Sequence, residues 1–296
     1  MDEGRMTPWF DAVDWCATDY QNRPRPVPTG IPKLDHVLIG GLKPGVYTVL
    51  GRPGEGKSAL AIFMAESVAT SGSGAAVISL EMPDHDAWLR AASSYSVRRN
   101  GENGCRMFSW SAVDYEADAT ARYGGSNLSS GGDAIITAAR LMSSLPLLIA
   151  APPEPSIGTV VSLLAEAKDV GAQMAVVDYL QLIDVPGIDR EYERVSTAMR
   201  SLVGSSLELK LPIVLLAAMN RGGLTGGASM HSASGSSVIE YASTCVMTYV
   251  RDKDAESADG TRAMLLNVEK NRSGMVTDEP IRLKYWPAYN WIEETE

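Results

Sequence analysis

The octapeptide Gly51-Arg52-Pro53-Gly54-Glu55-Gly56-Lys57-Ser58 constrains this chain more than any other stretch. It fits the phosphate-binding loop pattern G-x-x-x-x-G-K-[S/T]. A short β-prone run, Val46 to Leu50, precedes it, and a helix-prone run rich in Ala, Leu, Ile and Met, Ala59 to Ala69, comes after. These flanks separate the motif from a glycine-rich turn that matches by chance. The glycines let the backbone curl until several N–H groups face one anion, and the next helix adds the partial positive charge of its N-terminus. The expectation is a nucleoside triphosphate site. Gly51, Arg52, Pro53, Gly54, Glu55, Gly56, Lys57, Ser58 and Ala59 would wrap the phosphates. Lys57 would reach the β- and γ-phosphates, and the Ser58 hydroxyl would sit on Mg²⁺.

From residue 29 onward, apolar strand-like runs alternate with helical patterns. Strands are expected at 46–50, 75–80, 146–150, 174–177, 213–217, 245–250 and 263–269. Helices are expected near 57–70, 84–98, 132–144, 156–168 and 191–210. Alternation of this kind predicts an α/β fold with a mostly parallel central sheet flanked by helices. The stretches 99–131 and 221–237 are rich in Gly and Ser and read as a surface excursion and a loop. Ahead of the fold, Thr7 and Pro8 suit a helix start, and Trp9, Phe10, Val13 and Cys16 recur at helical spacing. Pro24, Pro26 and Pro28 separate that helix from the rest of the chain. Residues 1–28 are therefore expected to form a short N-terminal helical arm, and residues 29–296 one ATPase domain.

No apolar run approaches the ~20 residues that span a bilayer, so no membrane partner is expected. Three cysteines without close spacing suit a reducing cytosol better than a disulfide framework. A net charge of −10 argues against a broad basic surface for nucleic acid, though not against a narrow basic channel where subunits meet.

Hydrolysis needs more than a phosphate loop: a magnesium ligand, an oriented water and charge stabilisation in the transition state. Met174-Ala-Val-Val-Asp178 is an apolar strand ending in an acid, which places Asp178 near Mg²⁺ at the carboxyl edge of a parallel sheet. Glu81 ends the strand Ala75 to Leu80. It either orients the attacking water or is an acid that favours the start of the next helix. Lys270 and Arg272, two apart in Asn267-Val-Glu-Lys-Asn-Arg-Ser-Gly274, project to one face. They are either a solvated basic turn or fingers for a neighbour's γ-phosphate.

The order of these motifs resembles the DnaB-type replicative helicases in their RecA-like motor domain, over about residues 26–296. The resemblance runs through Thr29-Gly30-Ile-Pro-Lys-Leu34-Asp35, Gly40-Gly41-Leu42-Lys-Pro-Gly45, Ser79-Leu80-Glu81-Met82, Asp178-Tyr179-Leu180-Gln181-Leu182 and Glu269-Lys270-Asn271-Arg272-Ser273-Gly274. It implies a RecA-like P-loop NTPase core using ATP and Mg²⁺. Glu81 would be the catalytic carboxylate beside Lys57, Asp178 the magnesium partner with Ser58, and Lys270 and Arg272 the residues acting across a subunit boundary. It further implies a cytoplasmic, ring-forming homo-oligomer, a hexamer in this family, that unwinds DNA 5′ to 3′ along single-stranded DNA in replication. A loader or a primase would be its partner.

Three departures stand against that pattern. Ala218 occupies the place of the family's γ-phosphate-sensing Gln, with Asn220 one pleat further on. The loop Ser232-Ala-Ser-Gly-Ser-Ser237 lacks the family's usual Arg. The short arm takes the place of the family's N-terminal helical domain, as a linker helix that docks on the next subunit. Ala218 and the altered loop support a second reading: a DnaB-like ATPase that assembles on ATP as a regulator or loader without robust unwinding. A third, a RecA- or KaiC-type ATPase of recombination or signalling, shares the Thr29-to-Asp35 entry but not the later strings.

Overall fold

The computed structural model of the chain describes residues 23–100, 140, 142–219, 236–255 and 260–295. The expected arm helix, the surface excursion from residue 101 onward, most of the helix expected at 132–144, and Asn220 with most of the loop to 237 lie outside the described residues; Arg99 and Asn100, expected in the excursion, extend the preceding helix.

Among the described residues, nine strands form one sheet in the order β3-β2-β4-β5-β1-β6-β7-β8-β9. Six of them run parallel: β1 (Gly45–Gly51), β2 (Gly74–Ser79), β3 (Leu147–Ala150), β4 (Ala172–Asp178), β5 (Pro212–Ala218) and β6 (Cys245–Arg251). Then β7 (Arg262–Asn271), β8 (Ile281–Trp286) and β9 (Trp291–Glu294) add antiparallel, each by a connection to its sequence neighbour. The seven expected strands are present within one to two residues of their expected ends. The eighth and ninth were not expected.

Helices cover both faces, which is what a strand buried along its whole length such as β1 requires: all seven of its residues are buried. Because side chains alternate, Tyr47 and Val49 point to one face and Val46 and Leu50 to the other. On the first face they join α2 (Lys57–Thr70) through Leu60 and Met64, α3 (Asp84–Asn100) through Ala91 and Ala92, and the β8–β9 ribbon through Leu283 and Ile292. On the second they join α4 (Ile157–Asp169) through Val160 and Leu164, α5 (Glu191–Glu208) through Met199 and Leu202, and α6 (Ser236–Ala242) through Ile239. A short α1 (Pro32–Val37) precedes β1.

α2, the helix after the phosphate loop, is buried almost all round. Its Glu66 is fully buried and pairs with Arg98 of α3 at 2.7 Å, and Arg98 also lies over the rings of Phe63 and Trp291. Burial pushes the Glu66 carboxyl up, and Arg98 opposes that shift. The loop's helix is thus fixed to α3 and to β9 by one guanidinium.

Candidate functional site

The carboxyl ends of β1, β2 and β4 open onto one cleft of about 530 Å³. β1 delivers the phosphate loop. Gly54 and Gly56 hold φ of 75° and 92°, a left-handed backbone that only glycine adopts cheaply. A Cβ on Gly56 would stand 2.7 Å from the Tyr285 ring, so the loop is seated directly on β8. Helix α2 starts at Lys57, where its first N–H groups have no partner within the helix and face the cleft end. This cradle of N–H groups fits a phosphate chain.

Lys57 donates from Nζ to the loop carbonyls of Gly51 and Arg52 at 2.9 and 3.0 Å. Burial pulls its ammonium below the ordinary lysine range, and the carboxylates of Asp178, Glu81 and Glu55 oppose that shift. Asp178 ends β4 and is buried. Desolvation raises its carboxyl above the usual range, against a hydrogen bond from Ser58 and the charge of Lys57. A hydroxyl and a carboxylate joined in this way, beside an anion cradle, are hard oxygen donors that fit Mg²⁺.

Glu81 follows β2 and lines the same cleft, exposed. Its turn is held by Ser79, whose hydroxyl donates to Met82 O at 2.8 Å and accepts from Met82 N at 3.2 Å. The Leu80 N–H donates to Asp178 O at 2.6 Å and ties the β2 and β4 tips together. Glu81 stands three residues ahead of α3, whose first turn carries Asp84 and Asp86 instead. Lys57, Ser58, Glu81 and Asp178 are therefore brought together from separate elements.

Lys270 and Arg272 are not among the residues lining the cleft. Lys270 Nζ donates to the carbonyls of Glu240 and of Ser243, the latter at 2.9 Å, and an Arg272 Nη donates to the carbonyl of Tyr241. The two cations thus grip the C-terminal end of α6, where carbonyls lack helical partners. Burial, then the neighbouring Arg272, pull the Lys270 ammonium below its ordinary range.

Several cleft residues were not anticipated, Arg262, Arg90 and Tyr285 among them. Arg262, at the start of β7, donates to Gly54 O at 2.9 Å and holds the loop apex. Arg90 of α3 and Tyr285 of β8 also line the cleft. Arginine on a helix face or strand start carries no local pattern that separates it from a solvated cation. Tyr285 does belong to one: with Ile281 and Leu283 it forms the buried alternation of β8.

Among the described residues, no helix is long and apolar enough to cross a membrane. The DnaB-like helicase C-terminal domain model matches residues 26–294. Replicative DNA helicase DnaB of Nostoc sp. is 28% identical over 203 residues, which are 66% of this chain and 20% of that protein. DnaB of Geobacillus stearothermophilus is 27% identical over 199 residues, 66% of this chain and 40% of that protein. DNA repair protein RadA of Mycobacterium tuberculosis is 45% identical, but over 87 residues, 29% of this chain and 18% of that protein. The chain thus spans well under half the length of these curated relatives.

In the fold comparison, the ATPase domain of G40P superposes with a TM-score of 0.77 at 17% identity, covering 99% of this chain and 100% of that one. A DnaB-like replicative helicase, described with its interactions with primase, also gives 0.77 at 17% identity, covering 98% of this chain and 69% of that one. A KaiC-like protein of Pyrococcus horikoshii gives 0.60 at 16% identity, covering 92% of this chain and 99% of that one. These likenesses identify the fold as RecA-like. With the family model covering all but the chain's ends, this protein belongs to the DnaB-like helicase C-terminal domain family.

Proposed function

We propose that this chain is the ATP-hydrolysing motor of a ring-forming DNA translocase, completed at subunit boundaries. The observation that carries it is the division of the site. Lys57, Ser58, Glu81 and Asp178 converge on one cleft, while Lys270 and Arg272 of the same chain lie on α6, away from that cleft. In this reading Lys57 and the loop N–H groups hold the triphosphate. Glu81 orients the attacking water and accepts its proton. Lys270 and Arg272 of an adjacent copy stabilise the charge that develops on the γ-phosphoryl, a contribution of about 10³–10⁵ in rate. Mg²⁺, held by Ser58 and Asp178, would supply further charge neutralisation on the phosphates.

The remaining parts are those of the family. Residues 1–28 act as the arm that docks on the next copy, six copies close the ring, and single-stranded DNA is the track in the 5′ to 3′ direction. The place of action is the cytoplasm, with a loader or primase as partner. The second reading, an ATP-assembled regulator or loader, is favoured by Ala218, which lines the cleft with a methyl group where the family carries a carboxamide.

The test is steady-state ATP hydrolysis as protein concentration is raised, with and without single-stranded DNA. Turnover per subunit that rises with concentration and again with DNA is the expected result. A rise with concentration that ignores DNA favours the regulator. Turnover independent of concentration sinks the shared site. Unwinding of forked duplexes with opposite tails then reads the direction.

A further inference from the structure

We propose that Gln181 is a positioning residue for this nucleotide site: its carboxamide replaces a missing length of strand and ties the tip of β5, and through it the phosphate loop, to the turn that directly follows Asp178. The inference rests on the ATPase reading for its kinetic consequence, but not for the tie itself.

The pairing of β4 with β5 runs from Ala175 opposite Ile213 to Val177 opposite Leu215. β4 ends at Asp178, and its chain turns into the 3₁₀ turn Leu180–Leu182. β5 continues to Ala218, which still pairs with Gly51 of β1 on its other side. The β4 side of Ala218 is thus left without a strand. Gln181 fills that gap. The Ala218 N–H donates to Gln181 Oε1 at 3.2 Å, and Gln181 Nε2 donates to Ala218 O at 3.4 Å. A primary carboxamide presents a donor and an acceptor in one plane, as a peptide unit does, so it can satisfy both groups at once.

The contact continues into the loop. Met219 N donates to Gly51 O at 3.2 Å, and the same carbonyl accepts from Lys57 Nζ at 2.9 Å. A chain of hydrogen bonds therefore leads from Gln181, three residues after Asp178, to the ammonium that faces the phosphates. Gln181 itself does not line the cleft, whereas Ala218 does. Its effect must pass through the backbone it holds. With no polar side chain at 218, the position of this strand tip depends on the neighbouring turn.

Two variants test the tie. Gln181→Met keeps length and loses both polar atoms. Gln181→Asn keeps the carboxamide but is one methylene too short to reach. Both should lower kcat for ATP between about tenfold and a hundredfold, the scale of a small misplacement. Nucleotide KM should stay within about threefold and half-saturating Mg²⁺ should rise, since only the relation of Asp178 to Lys57 is loosened. Without nucleotide, the Ala218 amide should exchange its hydrogen faster in both variants. An Asn variant that turns over like the wild type would overturn the proposal, because reach is what the tie needs. So would a Met variant with unchanged kcat, or KM rising in step with the loss of kcat. If the wild type itself hydrolyses no ATP, the ATPase reading fails, and amide exchange at Ala218 alone decides the tie.

Discussion

Two lysines in this molecule, Lys57 in the cleft and Lys270 near the end of β7, make similar bonds in opposite surroundings. Each ammonium donates to two backbone carbonyls. Around Lys57 stand three carboxylates, those of Asp178, Glu81 and Glu55. Beside Lys270 stands Arg272, with Glu240 as the opposing charge. The first lysine is balanced by its own chain, in a cleft with room for a ligand. The second belongs to a cationic pair that rests on the end of a helix. A pair like this can cap α6, where a helix end attracts positive charge, and a polyanion can draw it away. The cleft residues thus converge within one chain, while the cationic pair lies away from the cleft on the end of α6, and in the proposed function that pair serves an adjacent copy.

Substitutions can break that contrast at either end. Lys57→Ala should have the largest effect, removing nucleotide turnover to the limit of detection, measured by phosphate release. Arg272→Ala should lower assembled turnover by about 10³-fold or more, while nucleotide binding, read by fluorescence titration, stays close to wild type. Wild-type turnover in that variant would mean that the pair serves only α6. Glu81→Gln should retain nucleotide affinity and lose about 10²–10⁴ in kcat, the range of a lost general base.

Asp178→Asn sharpens the contrast through stability. The raised folded-state pKa of Asp178 means that its stability contribution is full below the ordinary carboxylate value and is lost as pH rises through the raised one. Above the raised value the buried charge is a cost. The Asn variant should therefore melt higher without nucleotide, by about 2–4 °C for each kcal/mol relieved, even as Mg²⁺-dependent turnover disappears. A lower melting temperature would mean that the Ser58 bond outweighs desolvation. Lys270→Ala should have the smallest effect, about 0.3–1 kcal/mol lost with the helix-end contacts, read by urea unfolding of the nucleotide-free protein. A larger loss would show that α6 depends on this cap for its fold.

Much of the sheet was legible because parallel strands are buried on both faces and read as continuous apolar runs, as Val46 to Leu50 and Met174 to Val177 do. β8 lacks that signal. Its buried Ile281, Leu283 and Tyr285 alternate with Arg282, Lys284 and Trp286, so no unbroken apolar run marks it. α6 begins in the last two residues of the expected loop 221–237, and seven residues are too few for a helical period to emerge. The loop, Glu81 and Asp178 could be placed because each sits where an element ends, and a strand's end fixes where its last side chain can go.

The sequence by itself determined the strand–loop–helix cradle, the acids at the ends of β2 and β4, and the family to which their order belongs. These are local patterns, fixed by backbone geometry within a few residues. Only the tertiary structure decided that Arg90, Arg262 and Tyr285 share the cleft, that Gln181 holds the tip of β5, and that Lys270 and Arg272 rest on α6. Those contacts join residues far apart in the chain, such as Gly54 with Arg262 and Gln181 with Ala218. The packing of the sheet and its helices sets such distances, and no local spacing encodes them.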